Sequence, residues 1–153
     1  MTKKKLFISL SLLLYIVAAL QTLALYFFWY WSYWWYDIMM HFLAGLWVGG
    51  MVLWAYFFSE SMKVFHPVRR SHAYFMVLGI TFLIGLSWEL FEFSLDTFII
   101  FQQNDLVDTM SDLGMDIVGA QAAAFYVTRA RWSPTCFGQN ITGEQESTVR
   151  IKI

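Results

Sequence analysis

Four long runs of apolar residues constrain this chain more than any other feature of its sequence. They extend over roughly Leu6–Phe28, Ile38–Phe58, Ala73–Phe101 and Thr109–Thr128. A helix of about 20 apolar residues crosses the roughly 30 Å hydrocarbon core of a bilayer, and such runs are too long for the buried helices of most soluble proteins. We therefore predict an all-α fold, an integral membrane bundle of four transmembrane helices. Its predicted partner is the surrounding lipid bilayer.

The amino-acid composition favours the same class of protein. Charged residues make up only 14% of the 153 residues, whereas a soluble domain has about 25%. The formal net charge is −1, and the sequence has neither a nucleic-acid-binding motif nor a Walker-type loop, so we predict no nucleic-acid partner. The single cysteine, Cys136, excludes an internal disulfide framework and a cysteine metal cage.

The N-terminus has features of both a signal peptide and a retained helix. Three lysines precede the first run, as in a secretory signal. Its apolar part, however, extends from Leu6 to about Trp31, whereas the core of a signal peptide has about 7–15 residues. We predict an uncleaved first transmembrane helix, and cleavage near Ala18–Ala24 is the alternative.

The basic residues predict the orientation of the bundle. All ten Lys and Arg lie at the N-terminus, in the second connection or after the fourth run, and none lies in the first or third connection. By the positive-inside rule both termini are cytoplasmic. We predict a multi-pass protein of the bacterial cytoplasmic (inner) membrane. Residues 1–131 form its transmembrane domain, and the polar residues 132–153 form a disordered cytoplasmic tail.

Aromatic residues crowd the first connection, which reads WYWSYWWY at residues 29–36. Trp and Tyr prefer the boundary between membrane and water, where the ring and its polar group are both accommodated. We interpret this segment as an aromatic belt on the outer face. The alternative is an aromatic platform for a sugar or a lipid headgroup.

Eight of the eleven acidic residues lie in the outward connections or in the spans beside them, where no Lys or Arg is present. On each span their spacing of three or four residues puts them on one helix face. Glycines continue each face, namely Gly45 and Gly49 on the second run, Gly85 on the third and Gly119 on the fourth, and we predict that they let the helix backbones approach closely. Turning carboxylates toward lipid is very costly, so we predict that they converge on the bundle interior in an outward-facing cleft. The candidate site residues are Asp37, His41, Glu89, Glu92, Asp108, Asp112 and Asp116. Asp96 is ambiguous, since it could simply mark the outer interface, and we interpret Asp105 as a solvated loop residue.

Such a cluster of like charges is stable only if some carboxylates are protonated, or if a cation or a cationic substrate enters. Carboxylate oxygens suit Mg²⁺ and Mn²⁺, and a histidine favours a transition metal such as Zn²⁺. We predict a divalent cation bound deep in the cleft by Glu89, Glu92, Asp112 and Asp116, with His41 or Asp37 nearer the mouth. A hydrogen-bonding core residue is the alternative for His41. We also interpret Asp108 as an N-cap of the fourth helix, a role that is compatible with a place in the site.

Two functions of different class fit this cleft. In the first, the cation assists phosphoryl or ester chemistry on a lipid or cell-envelope headgroup, with Glu89 or Glu92 as general base. In the second, a non-catalytic protein provides an ion or proton pathway or acts as an accessory subunit. Four helices without inverted repeats make a poor autonomous transporter, so this second function requires a homodimer or a partner subunit.

Three motifs carry a resemblance to known families. The segments DIMMHFLAG, WELFEF and DTMSDLGMDIVGA resemble those of the YjdF-like and VanZ-like small polytopic bacterial membrane proteins. The resemblance covers about residues 37–120, is closer for the YjdF-like proteins, and implies little about chemistry. DTMSDLGMD is also faintly similar to the metal-binding motif of CDP-alcohol phosphotransferases, but the Ala-Arg of that motif is missing. The positions that match the YjdF-like and VanZ-like motifs are Asp37, His41, Glu89, Glu92, Asp108, Asp112, Asp116 and Gly119.

Overall fold

The computed structural model describes residues 2–58, 70–98 and 106–131, nearly all of which are helical. The helices are α1 Lys3–Phe27, α2 Trp29–Ser32, α3 Trp35–Phe58, α4 Arg70–Phe98 and α5 Leu106–Arg131. Each predicted span corresponds to one long helix, and the all-α fold is confirmed. The predicted disordered tail and the second and third connections lie outside the described residues, as does Asp105.

Among the described residues, three helices are long and apolar enough to cross a membrane: α1, α3 and the Ser71–Ser94 part of α4. The fourth long helix, α5, has 26 residues but is the least apolar of the four. Three aspartates occupy its first half, which lowers its mean hydropathy. A multi-pass membrane protein is thus supported, and the fourth span stays a prediction.

The first connection, predicted as a loop, contains the short helix α2. Helix α1 ends because Phe28 adopts a left-handed conformation with φ 57°, and the Phe28 N–H bonds to the carbonyl of Ala24. This sharp turn folds α2 back against the end of α1. Tyr36 then anchors the segment, because its hydroxyl donates a hydrogen bond of 3.0 Å to the carbonyl of Leu20.

The long helices alternate in direction. Trp47 on α3 donates a hydrogen bond of 3.1 Å to the carbonyl of Leu10 on α1. Tyr36, earlier on α3, bonds to Leu20, later on α1, so the two helices are antiparallel. Tyr74 on α4 bonds to Thr128 on α5 at 3.2 Å, which pairs the start of one helix with the end of the other. The most extensive packing joins α3 to α5, and these two helices run in the same direction.

Glycines allow the backbones of α3 and α5 to touch. A Cβ atom on Gly49 would lie 2.7 Å from Cα of Ala120, and one on Gly45 would overlap the carbonyl oxygen of Asp116. From the other side, a Cβ on Gly119 would overlap the carbonyl oxygen of Phe42. The predicted role of these glycines in close helix approach is consistent with this geometry.

The described basic residues gather at one end of the bundle. This end contains Lys3, which lies 5.4 Å from the ring centroid of Trp54 near the end of α3. It also contains the start of α4 at Arg70 and the end of α5, where Arg129 contacts Phe125. The starts of α3 and α5 and the acidic part of α4 lie at the opposite end.

Candidate functional site

His41 is the centre of the acidic end. Its Nε2 atom lies 3.8 Å from Oδ1 of Asp37, one turn earlier on α3, and 4.0 Å from Oδ2 of Asp112 on α5. Its Nδ1 atom lies 3.4 Å from Oδ2 of Asp116, also on α5. Both ring nitrogens therefore face carboxylates. The shared direction and close packing of α3 and α5 explain why residues 75 positions apart meet at the same depth.

Two glutamates of α4 complete the set. His41, Glu89 and Glu92 can offer one ligand atom each within 4.8 Å of one another, and so can His41 with Asp37 and Asp112. We call these residues together with Asp116 the His41 cluster. Two groups therefore share one histidine, whereas the sequence predicted one deep group of four carboxylates with His41 or Asp37 nearer the mouth.

Two carboxylates of the cluster are buried and incompletely satisfied. Glu89 is only 6% exposed and Asp112 only 3%. Oε1 of Glu89 and Oδ1 of Asp112 have no hydrogen-bond partner. Because burying an unpartnered charged oxygen is costly, such atoms favour an added proton, a water molecule or a cation as partner.

Asp116 lies where three helices meet. Its backbone packs against Gly45 of α3, and its carboxylate lies against Gly85 of α4, where a Cβ would be 2.6 Å from Oδ2. Gly85 thus leaves the space that the carboxylate occupies. This contact extends the predicted role of the glycines, because here the glycine accommodates a side chain of the site rather than a helix backbone.

Asp108 stands apart from the cluster. It is exposed and lies within the first turn of α5, two residues after the helix begins at Leu106. The N-cap interpretation of Asp108 is therefore wrong, because an N-cap precedes the first helical residue. An acidic residue in the first turn still interacts favourably with the helix dipole. The side chain of Asp96, in the last turn of α4, lies outside the described residues.

A cavity of about 880 Å³ adjoins the His41 cluster. Its walls come from all five helices, and at one end it contacts Asp37, His41, Glu92, Asp108 and Asp116. The remaining wall is mostly apolar and includes Val17 and Ala18 of α1, Ala44 and Val48 of α3, and Ile84 of α4. The volume falls within the range of small-molecule pockets, about 300–1,000 Å³.

Several residues of this cavity were not predicted. Thr81 of α4 lines it, is 1% exposed, and its hydroxyl has no hydrogen-bond partner. Gln21 and Tyr30 also line it, and the Tyr30 hydroxyl donates a hydrogen bond to the Gln21 side chain. Gln21 as the one amide within the first apolar run was a signal that sequence reasoning could have used.

The aromatic segment of the first connection has two roles in the structure. Tyr36 is buried against α1, whereas Trp34 is 83% and Trp31 is 64% exposed, as expected of an interfacial belt. Trp31, Trp34 and Tyr30 nevertheless line the cavity. The belt and the platform interpretations of these aromatic residues are therefore compatible.

Tyr30 connects the aromatic segment to the acidic end. Burial and the nearby Asp37 carboxylate raise the pKa of Tyr30 to about 12. Its hydroxyl therefore stays protonated even in alkaline solution and keeps its hydrogen bond to the Gln21 side chain.

The chain was compared with protein families, curated proteins and solved structures. A family model described as "Predicted membrane protein (DUF2238)" matches residues 2–133, which includes α1 to α5 and the whole His41 cluster. Neither the curated proteins nor the solved structures give a match. Since the match covers most of the 153 residues, the chain belongs to the DUF2238 family of predicted membrane proteins.

Proposed function

We propose that this protein binds a divalent cation in an acidic cleft within the membrane. The observation that carries the proposal is the arrangement around Nε2 of His41, which faces Asp37 and Asp112 at 3.8 and 4.0 Å. Two ligands of one cation, each at about 2.1 Å, lie at most about 4.2 Å apart. Both distances to His41 satisfy this limit, and the ligand atoms of all three residues lie within 4.8 Å of one another. The other oxygen of Asp112, Oδ1, is buried without a partner.

Asp116 would orient the histidine rather than bind the cation. Its Oδ2 lies on the Nδ1 side of the ring, opposite the proposed ligand atom. A carboxylate that accepts the second ring N–H of a metal-bound histidine fixes the tautomer and the ring orientation. Three protein ligands would leave coordination positions open for water or for a substrate oxygen.

The open positions make metal-assisted chemistry the natural extension of the proposal. A cation there would polarise a phosphoryl or ester oxygen of a lipid or envelope headgroup, and Glu89 or Glu92 would serve as general base. The alternative is an ion or proton pathway or an accessory membrane subunit. It is supported by His41 itself, which in its protonated form would neutralise part of the cluster without a metal.

We further propose that the cleft opens on the outer face of a bacterial cytoplasmic membrane, in a protein of the YjdF-like type. The gathering of described basic residues at the other end supports this orientation. In a Cys136→Ser background, an impermeant thiol reagent added outside should label a cysteine at Ser32 and leave one at Ser71 unlabelled. The opposite pattern would place the cleft on the cytoplasmic side.

The metal proposal is tested by thermal unfolding of the purified protein in neutral detergent. A cation at a hundredfold excess over its Kd stabilises the native state by about 2.7 kcal/mol, so Mg²⁺, Mn²⁺ or Zn²⁺ should raise the unfolding temperature. Asp112→Asn should abolish the rise, because it removes a negative charge and replaces one of the two carboxylate oxygens with an NH₂ group. Asp108→Asn makes the same chemical change at an exposed position that borders the cavity but is not one of the three proposed ligands, so it should retain most of the rise.

Metal analysis of the same samples provides the direct measurement. Wild-type protein and Asp108→Asn should contain one equivalent of cation, and Asp112→Asn should contain much less. The metal proposal fails if no divalent ion shifts the wild-type unfolding temperature between about pH 6 and 8, where ordinary carboxylates are ionised. An equal shift in Asp112→Asn would also contradict the proposal.

A further inference from the structure

The cavity is too deep for a headgroup alone. It extends along α3 from Asp37 to Val48 and along α4 from Glu92 to Thr81. At 1.5 Å per residue each of these segments measures about 16 Å. A metal ion and its ligands occupy only the acidic end, so the apolar part of the cavity has no role in cation binding.

The packing of the helices indicates how such a cavity could be reached. Helix α1 packs on α3, and α4 packs on α5 and α3, whereas α1 and α4 share no extensive contact among the described residues. The cavity has residues of both α1 and α4 in its wall. It therefore lies in the gap between these two helices, where an acyl chain could enter from the membrane.

The charge of the lining determines the headgroup. Carboxylates and His41 line one end of the cavity, and the lining also includes the aromatic rings of Trp31, Trp34 and Trp88. The described lining residues include no Lys or Arg. An ammonium group is attracted both by carboxylates and by the faces of aromatic rings. A phosphate in the same place would be repelled unless a metal ion lay between the two anions.

Thr81 supplies an independent sign of a ligand. Thr81 lines the cavity, and its hydroxyl is buried and has no partner, although buried polar groups are nearly always hydrogen-bonded. Thr81 is one helical turn deeper than Gly85, which contacts the Asp116 carboxylate. One helical turn is about 5.4 Å long. If the ammonium group of a ligand lies at the acidic end, an oxygen atom about this distance further along the ligand would lie near the Thr81 hydroxyl.

We propose that the cavity binds an amphiphile that has an ammonium headgroup, an ester or amide oxygen close to it, and an apolar chain. The headgroup lies among the carboxylates, the oxygen accepts a hydrogen bond from Thr81, and the chain lies between α1 and α4. This inference rests on the acidic cleft of the proposed function and on its negative charge, and the ammonium group would take the place of the divalent cation among the same carboxylates.

Decanoylcholine is a suitable probe, because it contains all three parts. Its affinity is measured by titration calorimetry on the full chain in maltoside micelles, beside choline, which lacks the chain, and methyl decanoate, which lacks the charge. We expect decanoylcholine to bind at least about tenfold more tightly than either. Equal binding of choline or of methyl decanoate would overturn the inference, and so would decyl phosphate binding more tightly in the presence of Mn²⁺.

Variants then separate the chain site from the cation site. Ala44→Phe fills the apolar part and should weaken decanoylcholine about tenfold while leaving the stabilisation by Mn²⁺ unchanged. Ala122→Phe makes the same change on an exposed face of α5 and should alter neither. Decyltrimethylammonium lacks the ester oxygen, so we expect it to bind less tightly than decanoylcholine. Thr81→Val should remove this difference in affinity. If Ala44→Phe leaves the affinity for decanoylcholine intact, the chain does not occupy this cavity, and the metal proposal is unaffected.

Discussion

Replacing Gly45 or Gly119 by leucine should leave almost no folded protein. At both positions a side chain would overlap a backbone carbonyl oxygen of the facing helix, of Asp116 in one case and of Phe42 in the other. Overfilling a packed core costs about 1–3 kcal/mol when side chains can adjust, and occasionally more. Here the obstacle is backbone, so we expect a loss of at least about 3 kcal/mol. The measurement is the unfolding temperature and the monodisperse fraction of the detergent-purified variants.

Gly79 and Gly114 provide the matched controls. Gly79 lies on α4 and Gly114 on α5, and a Cβ at either position meets no atom within 4 Å. Alanine is favoured over glycine in a helix interior by up to about 1 kcal/mol, so Gly79→Ala and Gly114→Ala should be neutral or slightly stabilising. Normal folding of Gly45→Leu would show that α3 and α5 do not touch through their backbones.

This contact between α3 and α5 determines the chemistry of the cleft as well as its stability. Gly45 is one turn from His41, and the backbone that it touches is that of Asp116. If the two helices moved apart by the width of a methyl group, the 3.4 Å distance between Nδ1 of His41 and Asp116 would lengthen. A milder variant, Gly49→Ala, should therefore weaken the cation response before it prevents folding.

The sequence allowed the fold and the residues of the cluster to be predicted for a clear physical reason. Four apolar runs have few ways to fold in a bilayer, and carboxylates within them cannot face lipid without a large cost. Helical spacing then orients Asp112 and Asp116 together on α5. The relative shift of α3 along α5 is set by glycine contacts between helices, so sequence spacing could not show that His41 lies between two groups of carboxylates.

The cavity and the first connection were beyond sequence reasoning. A cavity forms where two helices do not pack together. The periodicity of an apolar helix says little about which face packs on a neighbour, because the faces toward lipid and toward the core are both apolar. The left-handed Phe28 that starts α2 has no sequence signal either, because such a conformation is usual for Gly or Asn and uncommon for an aromatic residue. Asp108 was misplaced because the helix begins at Leu106, slightly earlier than the acidic spacing suggested.

His41 should prove to be the residue whose loss most destabilises the cluster when no metal is present. Among the described residues of the acidic end it is the one side chain that can carry a positive charge, and it faces Asp37, Asp112 and Asp116. Removing one partner of a buried ionic group costs about 3–5 kcal/mol, because the opposite charge is left uncompensated. We therefore expect His41→Leu, unfolded in the presence of a chelator, to lose stability of this order.

The double variant His41→Leu, Asp112→Asn distinguishes charge compensation from ordinary packing. If His41 stabilises the fold as a counter-charge, neutralising Asp112 should restore part of the loss, and the two single changes should be strongly non-additive. If His41 is instead an ordinary hydrogen-bonding core residue, the two losses should add. His72→Leu, at an exposed position near the opposite end of α4, serves as the control and should change stability by no more than about 0.5 kcal/mol. Additive losses would show that His41 is not the counter-charge, and the carboxylates would then be neutralised by protons when no metal is bound.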